Sequence, residues 1–329
     1  MEFKPSTILK GFAMGIAEVI PGVSGGTIAF ISGIYEDLLS SIKAFDFTFF
    51  SLLTQGKWVE AWKKVNGPFL LLLGSGMALG ILLGILVVTY FLEYYPEPLW
   101  GFFFGLVLAS AWMLKKEILQ YNLVNIFALI VGIGIAVSIS LLSPVDSSTN
   151  LFYIFLCGMI AISAFILPGV SGSFMLLLLG TYTVVIPSLK RVITDQDMAS
   201  FVIVTVFALG CLVGIIGFSR VLSWLFAKYR SMTFTLLTGF LIGSLFKIWP
   251  WRNVSLVVDK TSGTSIPISN QSDWNILNHE NIKILSEAHV LPSGYWMQDP
   301  KIALTIISCI IGYVTVYYIE KNSKNPNHQ

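Results

Sequence analysis

A helix-breaking motif lies inside an apolar segment and occurs a second time in the other half of the chain. The first copy is Ile20–Thr27 (IPGVSGGT) and the second is Leu167–Phe174 (LPGVSGSF). Proline and adjacent glycines interrupt a helix, and inside a bilayer each freed amide costs several kcal/mol unless protein, water or a ligand binds it. Two such breaks predict a pathway through a membrane rather than a plain anchor.

The composition predicts an all-α polytopic membrane protein. Of the 329 residues, 55% are hydrophobic and 12% are charged, and the mean hydropathy is +0.78. A net charge of +2 is too small to predict a nucleic-acid partner. The three cysteines lie in apolar runs without metal-ligand spacing, so no metal site and no cofactor is expected.

Six apolar stretches are long enough to cross about 30 Å of hydrocarbon as helices. They span residues 67–92, 98–114, 122–142, 200–222, 232–249 and 301–319. The two segments that carry the breaks, at about 6–35 and 151–187, are each compatible with one interrupted crossing or with a re-entrant helical hairpin.

The distribution of basic residues favours the hairpins. With re-entrant hairpins and a cytoplasmic N-terminus, twelve basic residues lie in short inside segments: Lys4, Lys10, Lys43, Lys57, Lys63, Lys64, Lys115, Lys116, Lys228, Arg230, Lys321 and Lys324. Only Lys190 and Arg191 then lie in short outside segments. Because cytoplasmic loops are enriched in Lys and Arg, we predict a multi-pass protein with both termini in the cytoplasm.

This topology predicts two inverted repeats, each with one re-entrant hairpin and three transmembrane helices. The first repeat is residues 1–145 and the second is residues 146–329, which includes a polar external loop or small cap at about 250–300. Around the breaks, identical residues recur at one offset: Gly11, Ala17, Gly33, Tyr35, Ser41 and Lys43 match Gly158, Ala164, Gly180, Tyr182, Ser188 and Lys190. A weaker similarity aligns Gly80 and Gly84 with Gly210 and Gly214.

The second arm of each hairpin begins just after the break, so its free amides and positive dipole end are expected to bind an anion inside the membrane. Hydroxyl groups add donors, and glycines allow a headgroup to approach the backbone. The predicted phosphate-binding residues are Ser24, Gly25, Gly26, Thr27, Ser171, Gly172, Ser173 and Arg220. The alternative is that the small residues only permit tight packing and that Arg220 extends to the interface.

Glu18 lies three residues before Pro21, and the matching position in the second copy is Phe165. Carboxylates inside membranes are costly and usually functional. Glu18 is therefore predicted to exchange protons and to couple transport to an ion gradient. The alternative is a structural acid that is bonded to a neighbouring amide or hydroxyl.

The double Pro-Gly-Val-Ser-Gly motif, with the lead-in Gly15–Glu18, resembles a bacterial and archaeal membrane family regarded as polyprenyl-phosphate transporters. The resemblance covers essentially the whole chain. It implies a flippase of the plasma membrane that returns undecaprenyl phosphate from the outer to the inner leaflet for cell-wall biogenesis. Ser173 replaces Gly26 in the second copy, which leaves open whether both breaks bind equally.

The sequence also suggests two alternatives to a carrier. Gly22–Gly25 fits the Gly-x-Ser-Gly pattern of intramembrane serine proteases, but His279, His289 and His328 all lie outside the predicted spans, so no base is available and no enzyme is predicted. The stronger alternative is an ion channel or ion exchanger, because paired re-entrant half-helices also bind ions.

Overall fold

A computed structural model describes residues 6–19, 24–115, 118, 122–145, 147–259, 264–275, 277 and 282–323. The Pro21–Val23 part of the first break lies outside the described residues. Lys4, Lys116 and Lys324 of the charge pattern also lie outside them, as do His279 and His328.

The described chain is mostly helical, as the composition predicts. Its first half runs through α1 (Ser6–Glu18), α2 (Gly25–Ile31), α3 (Tyr35–Lys43), α4 (Phe47–Thr54), α5 (Trp58–Lys64), α6 (Gly67–Tyr94), α7 (Pro96–Leu114) and α8 (Leu123–Leu141). Its second half runs through α9 (Leu151–Ile166), α10 (Gly172–Leu178), α11 (Tyr182–Thr194), α12 (Met198–Lys228), α13 (Arg230–Lys247), β1 (Arg252–Asp259), β2 (Ser265–Pro267), α14 (Gln271–Asn275), β3 (Ile282–His289) and α15 (Ile302–Ser323).

Polar side chains define where several helices begin. Asn122, Asn150 and Asp197 precede α8, α9 and α12, and each side-chain oxygen accepts a hydrogen bond from an amide in the first turn. Such caps satisfy donors that have no partner within the helix. The long apolar helices therefore begin at defined residues.

Among the described residues, five helices are long and apolar enough to cross a membrane: α6, α7, α8, α12 and α15. The sixth predicted span, at 232–249, corresponds to α13, which is a helix but is less apolar. Thr233, Thr235, Thr238 and Ser244 are buried in α13, and the three threonine hydroxyls donate to carbonyl oxygens one turn earlier. Because α13 is surrounded by protein, its polar side chains do not meet lipid.

Each half contributes one long helix that packs against a helix of the other half. The third long helix of the first half, α8, packs along α13, and the third long helix of the second half, α15, packs along α7. In the first pair Gly239 lies against Leu129, and in the second pair Gly105 lies against Cys309. A side chain at Gly105 would overlap the Cys309 carbonyl oxygen, so these backbones touch.

The two halves also share details of backbone structure. Tyr95 and Tyr229 are the single residues that join α6 to α7 and α12 to α13, and their φ and ψ angles are −141° and 51° against −132° and 46°. Gly33 and Gly180 follow α2 and α10 with φ of 71° and 65°, in the left-handed region that favours glycine. The matched sequence positions therefore adopt matched conformations.

Packing contacts change one of the sequence alignments. Gly76 lies against Ile8 of α1, whereas Gly210 lies against Phe155 of α9, and Phe155 is the residue that matches Ile8 at the offset of the breaks. Gly210 therefore corresponds to Gly76 rather than to Gly80. The earlier alignment was wrong by one helical turn because the small residues repeat every four positions.

The segment predicted as a polar loop at 250–300 contains a three-stranded antiparallel sheet in the order β2-β1-β3. Val254, Val257 and Ile268 form its own small core. Glu97, at the start of α7, fixes this region to the helices: the buried carboxylate accepts hydrogen bonds from Tyr295 and Gln298 and lies 3.2 Å from the Lys301 ammonium. This sheet forms a folded cap at one end of the bundle.

Helices α4 and α5 form an amphipathic hairpin. Phe47 and Trp58 are 87% and 66% exposed, while Asp46 caps α4 and lies 3.1 Å from the Lys64 ammonium. The amide of Phe49 and the Lys64 side chain hold the pKa of Asp46 below its usual value. Exposed aromatic rings beside lysines are typical of a segment at a membrane interface.

Candidate functional site

The two breaks meet in the centre of the molecule. Ser24, fully buried, lies at the start of α2, and its hydroxyl oxygen is 3.1 Å from the carbonyl oxygen of Leu167 and 3.3 Å from that of Phe165. Phe165 lies in the last turn of α9, and Leu167 caps this helix and is the first residue of the second break. The hydroxyl of the first motif therefore donates to backbone that the second motif has freed.

Two further bonds join the first half to the second break. The Gly169 amide donates to the Thr27 hydroxyl at 3.0 Å, and the buried Tyr35 hydroxyl donates to the Ile166 carbonyl at 3.1 Å. Gly169 has φ of +81°, a conformation that favours glycine. A side chain at Gly26 would overlap the Ile166 carbonyl oxygen. These contacts provide partners for amide and carbonyl groups that would be costly in hydrocarbon.

Glu18 ends α1 and points at the start of α2. Its Oε1 accepts a hydrogen bond from the Gly25 amide, and the Gly26 amide donates to the Ser24 hydroxyl at 3.1 Å. A carboxylate thus already lies where a helix N-terminus favours negative charge. In this conformation an anion could reach the Gly25 amide only by displacing Glu18.

The second break is less enclosed. Ser171 is buried, accepts from the Phe174 amide at 3.3 Å and lies 3.0 Å from the Ser173 hydroxyl. In α2 five of seven residues are buried, whereas in α10 only Gly172 and Leu178 are buried. The axes of α10 and α11 are bent by 107° from one another. The equivalent short helices are therefore packed unequally.

An apolar groove of about 330 Å³ adjoins the second break. Leu167 and Val170 of the break line it together with residues of α8, α9 and α13. A groove that connects a helix break with the apolar outside of the bundle suits a hydrocarbon chain.

Arg220 lies apart from the breaks. It is on the outer part of α12, and its Nη2 is 3.4 Å from the Phe45 carbonyl oxygen between α3 and α4. The other predicted site residues are grouped in the two breaks and beside them. Sequence reasoning missed Tyr35, whose match with Tyr182 was noted only as part of the repeat, and it missed Glu97 and Lys247 because they lie at the ends of spans.

The described fold and the paired breaks define a polytopic helical membrane protein whose centre is built from interrupted helices. The sequence profile of the undecaprenyl phosphate translocase-like family matches residues 14–266, and the chain belongs to that family. The similarity to the family noted from the two motifs is thereby confirmed.

Two curated relatives are similar over most of their length. The chain is 40% identical over 263 residues to the polyprenyl-phosphate transporter of Vibrio cholerae, which covers 80% of this chain and 83% of the relative. It is 32% identical over 269 residues to the polyprenyl-phosphate transporter of Staphylococcus aureus, with 78% and 90% covered. The names of the family and of these relatives indicate a transporter and not an enzyme. No solved structure matches the chain.

Proposed function

We propose that this protein is a plasma-membrane carrier that moves undecaprenyl or another polyprenyl phosphate from the outer to the inner leaflet by alternating access of two inverted repeats. The observation that carries the proposal is the hydrogen-bonded contact between the two breaks, made by Ser24, Thr27 and Tyr35. Interrupted helices that meet at a repeat interface are typical of carriers that expose one central site to each side in turn.

The directions of packed helices support inverted repeats. Gly76 and Gly84 of α6 follow Ile8 and Ile16 of α1 in the same order, so these helices run parallel, and α9 runs parallel to α12 in the same way. Each broken segment then begins on the membrane face where the next long helix also begins, as a re-entrant hairpin does. Three crossings follow in each repeat, which places the starts of 1–145 and 146–329 on opposite faces.

The 18-residue helix α13 is the second crossing of the second repeat in this arrangement. At 1.5 Å per residue it is about 27 Å long, close to the thickness of the hydrocarbon core. It runs parallel to α8, since Gly239 and Gly243 lie against Leu129 and Ile133. The face where α1 begins is called the N-terminal face below, and the face that contains the β-sheet is called the sheet face.

The unequal packing of α2 and α10 supports alternating access. With α2 enclosed and α10 beside an open groove, the molecule has the asymmetry of one end state of a carrier. Exchange of these two environments between the repeats would give the other end state. A lipid phosphate would enter beside the second break and leave beside the first.

The charge distribution supports an inward direction. The basic residues of the short loops assign the N-terminal face to the cytoplasm. At that face a cleft of about 380 Å³ is lined by Glu36, Asp37 and Arg230, and the Arg230 guanidinium is 2.9 Å from Glu36. Because Arg230 pairs with Glu36, the Asp37 carboxylate gives the cleft a negative charge, which favours release of a phosphate there. Net flux still follows the lipid gradient and any coupled ion gradient.

Glu18 has a defined role in the proposal. Its carboxylate and a lipid phosphate compete for the Gly25 amide, and protonation of Glu18 weakens its bond because an ionised acceptor binds more strongly than a neutral one. Proton uptake by Glu18 and phosphate binding would therefore occur together. Ser171, Gly172 and Ser173 supply the less enclosed donors, and Arg220 would contact the phosphate only outside the central site.

The test is leaflet exchange in vesicles that contain the purified chain and labelled undecaprenyl phosphate, with proton and sodium gradients imposed separately. Wild type is expected to move the lipid, and Gly26→Val is expected to abolish movement because its side chain would overlap the Ile166 carbonyl. Gly134→Val is the matched control, since a Cβ at that position meets no other part of the described chain within 4 Å. Ion conductance without lipid exchange would instead identify a channel.

Glu18→Gln tests the coupling role. The variant keeps the shape of the neutral acid, so lipid exchange should persist while its response to an imposed pH difference is lost. A well-folded Glu18→Gln protein that responds to the pH gradient as wild type does would exclude Glu18 from coupling.

A further inference from the structure

A second cavity lies beneath the β-sheet, at the end of the apolar groove. It encloses about 160 Å³ and is lined by the C-terminal ends of α8 and α13, by α10, and by β1 and β3. Its charged and titratable residues are Lys247, Arg252, Glu287 and His289. We call this cavity the sheet-side chamber.

The cations of the chamber are held in place by aromatic rings. Lys247 is the last residue of α13, is half-buried, and its ammonium lies 4.6 Å from the centre of the Phe174 ring. Arg252 stacks over Trp100 at 4.7 Å, and its guanidinium is 2.8 Å from Glu287. The Arg252 side chain is only 11% exposed, and its Nε is buried without a hydrogen-bond partner among the described residues.

The charges in the chamber add to a positive total. Glu287 neutralises Arg252, whereas Lys247 has no carboxylate within ion-pair distance in the described part of the chain. Burial lowers the pKa of His289, and this effect outweighs the opposing one of the Phe246 carbonyl, which lies 2.7 Å from Nε2. The ring therefore adds no positive charge at neutral pH. A half-buried cation with a free Arg Nε–H nearby suits an anion with several acceptor oxygens.

The chamber and the groove are consecutive along the same helices. On α8 the groove is lined by Ile135 and Ile139, and the chamber begins at Ser140. A neck of about 20 Å³ connects the chamber side with Ser171 of the second break, and Lys247 and Phe174 line both the neck and the chamber. The neck has room for about one water, so a phosphate cannot pass it in this conformation.

We propose that the sheet-side chamber is a capture site for a lipid phosphomonoester, with the phosphate bound by Lys247 and Arg252 and the hydrocarbon chain in the groove between α8 and α9. This inference rests on the proposed function and adds a first binding position ahead of the breaks. The occupant is a lipid rather than free phosphate because the chamber adjoins an apolar groove of about 330 Å³: Ser140 and Phe174 of the chamber are the chain neighbours of Ile139 and Met175 of the groove. The Lys247 and Phe174 side chains, which line the neck, then separate the capture site from the second break.

Equilibrium binding of labelled undecaprenyl phosphate to the full chain in detergent tests the headgroup contact. Lys247→Met should weaken binding about tenfold or more, as loss of a charge-assisted hydrogen bond does, and Lys247→Arg should restore it. Lys228→Met is the matched control: Lys228 also ends a helix and lies over the Trp224 and Tyr229 rings, but it is exposed. Unchanged affinity of a folded Lys247→Met protein would overturn the proposal.

The groove is tested with a pair of isoleucines on α8. Ile135→Trp should reduce lipid affinity by filling the groove, while Ile130→Trp should not, since Ile130 is 61% exposed and is not among the residues that line the groove. Inorganic phosphate should compete only weakly, and competition as strong as that of the lipid would overturn the role of the groove. Leaflet exchange by wild type is measured in parallel. If wild type exchanges lipid but Lys247→Met binds lipid normally, the capture site is refuted while the proposed carrier function is not.

Discussion

Replacement of Ser24 by Ala should destabilise this protein more than the same replacement of Ser171, although the two serines occupy matched positions in the two motifs. The Ser24 hydroxyl accepts from the Gly26 amide and donates to the carbonyls at the end of α9. The Ser171 hydroxyl accepts from the Phe174 amide, and its other neighbour is the Ser173 hydroxyl, which can turn to another partner.

The expected difference follows from these bonds. Loss of a serine cap costs about 1 kcal/mol, and this applies to both variants. Ser24→Ala also removes the hydroxyl that donates to the partly buried carbonyls of Leu167 and Phe165, which adds about 1–2 kcal/mol. We therefore expect the free energy of unfolding to fall by about 2–3 kcal/mol for Ser24→Ala and by about 1 kcal/mol for Ser171→Ala.

Equilibrium unfolding by sodium dodecyl sulfate in mixed micelles, followed by tryptophan fluorescence, measures both values. Thr27→Val is a useful third variant because it removes only the acceptor of the Gly169 amide and should resemble Ser24→Ala in cost. Equal destabilisation by Ser24→Ala and Ser171→Ala would refute the inference that the first motif supports the backbone of the second.

Three other predictions concern topology and the loops. Cysteines at Lys57 and Lys228 should react with an impermeant reagent from the same side, and a cysteine at Ser148 should react from the opposite side; any other grouping contradicts the inverted repeats. Glu97→Leu should cost about 3 kcal/mol of unfolding free energy because three donors, one of them the Lys301 ammonium, lose their acceptor. Glu97→Gln should cost about half of that. Hydrogen bonds from Ser200 lower the pKa of Asp197 from its ordinary value of 3.8. The unfolding free energy of wild type relative to Asp197→Asn should therefore be constant above pH 3.8 and should decline below it. A pH-independent difference would count against the cap.

The sequence was sufficient to predict the long helices and the presence of one interrupted helical segment in each half of the chain. Long apolar runs and proline-glycine motifs are strong local signals, and the helices lie close to the expected bounds. The contact between the breaks was not predictable, because Ser24 and Leu167 are far apart in the chain and nothing local specifies their hydrogen bond.

The errors have physical causes. The buried Val254 and Val257 are three residues apart because the pairing of β1 with β3 is irregular between them. The segment therefore lacks the strict alternation that predicts a strand. Lys247 and Glu97 lie at the ends of spans, where a charge normally contacts water, and only tertiary packing buries them. In α6 and α12 several glycines fit equally well along one helix face, so sequence alone could not fix their alignment.

The hydrogen bonds between the breaks bear directly on how a carrier could avoid being a channel. Ser24, Thr27 and Tyr35 must release the end of α9 and Gly169 before the two breaks can separate. At about 1 kcal/mol for each bond, the separated state costs about 3 kcal/mol and is populated to about 1% without ligand. A phosphate offers acceptor oxygens to the Ser24 hydroxyl and to the Gly169 amide, so its binding offsets most of this cost. In the proposed mechanism the lipid would thereby be the condition for separation, and an ion that accepts fewer hydrogen bonds would leave the centre closed.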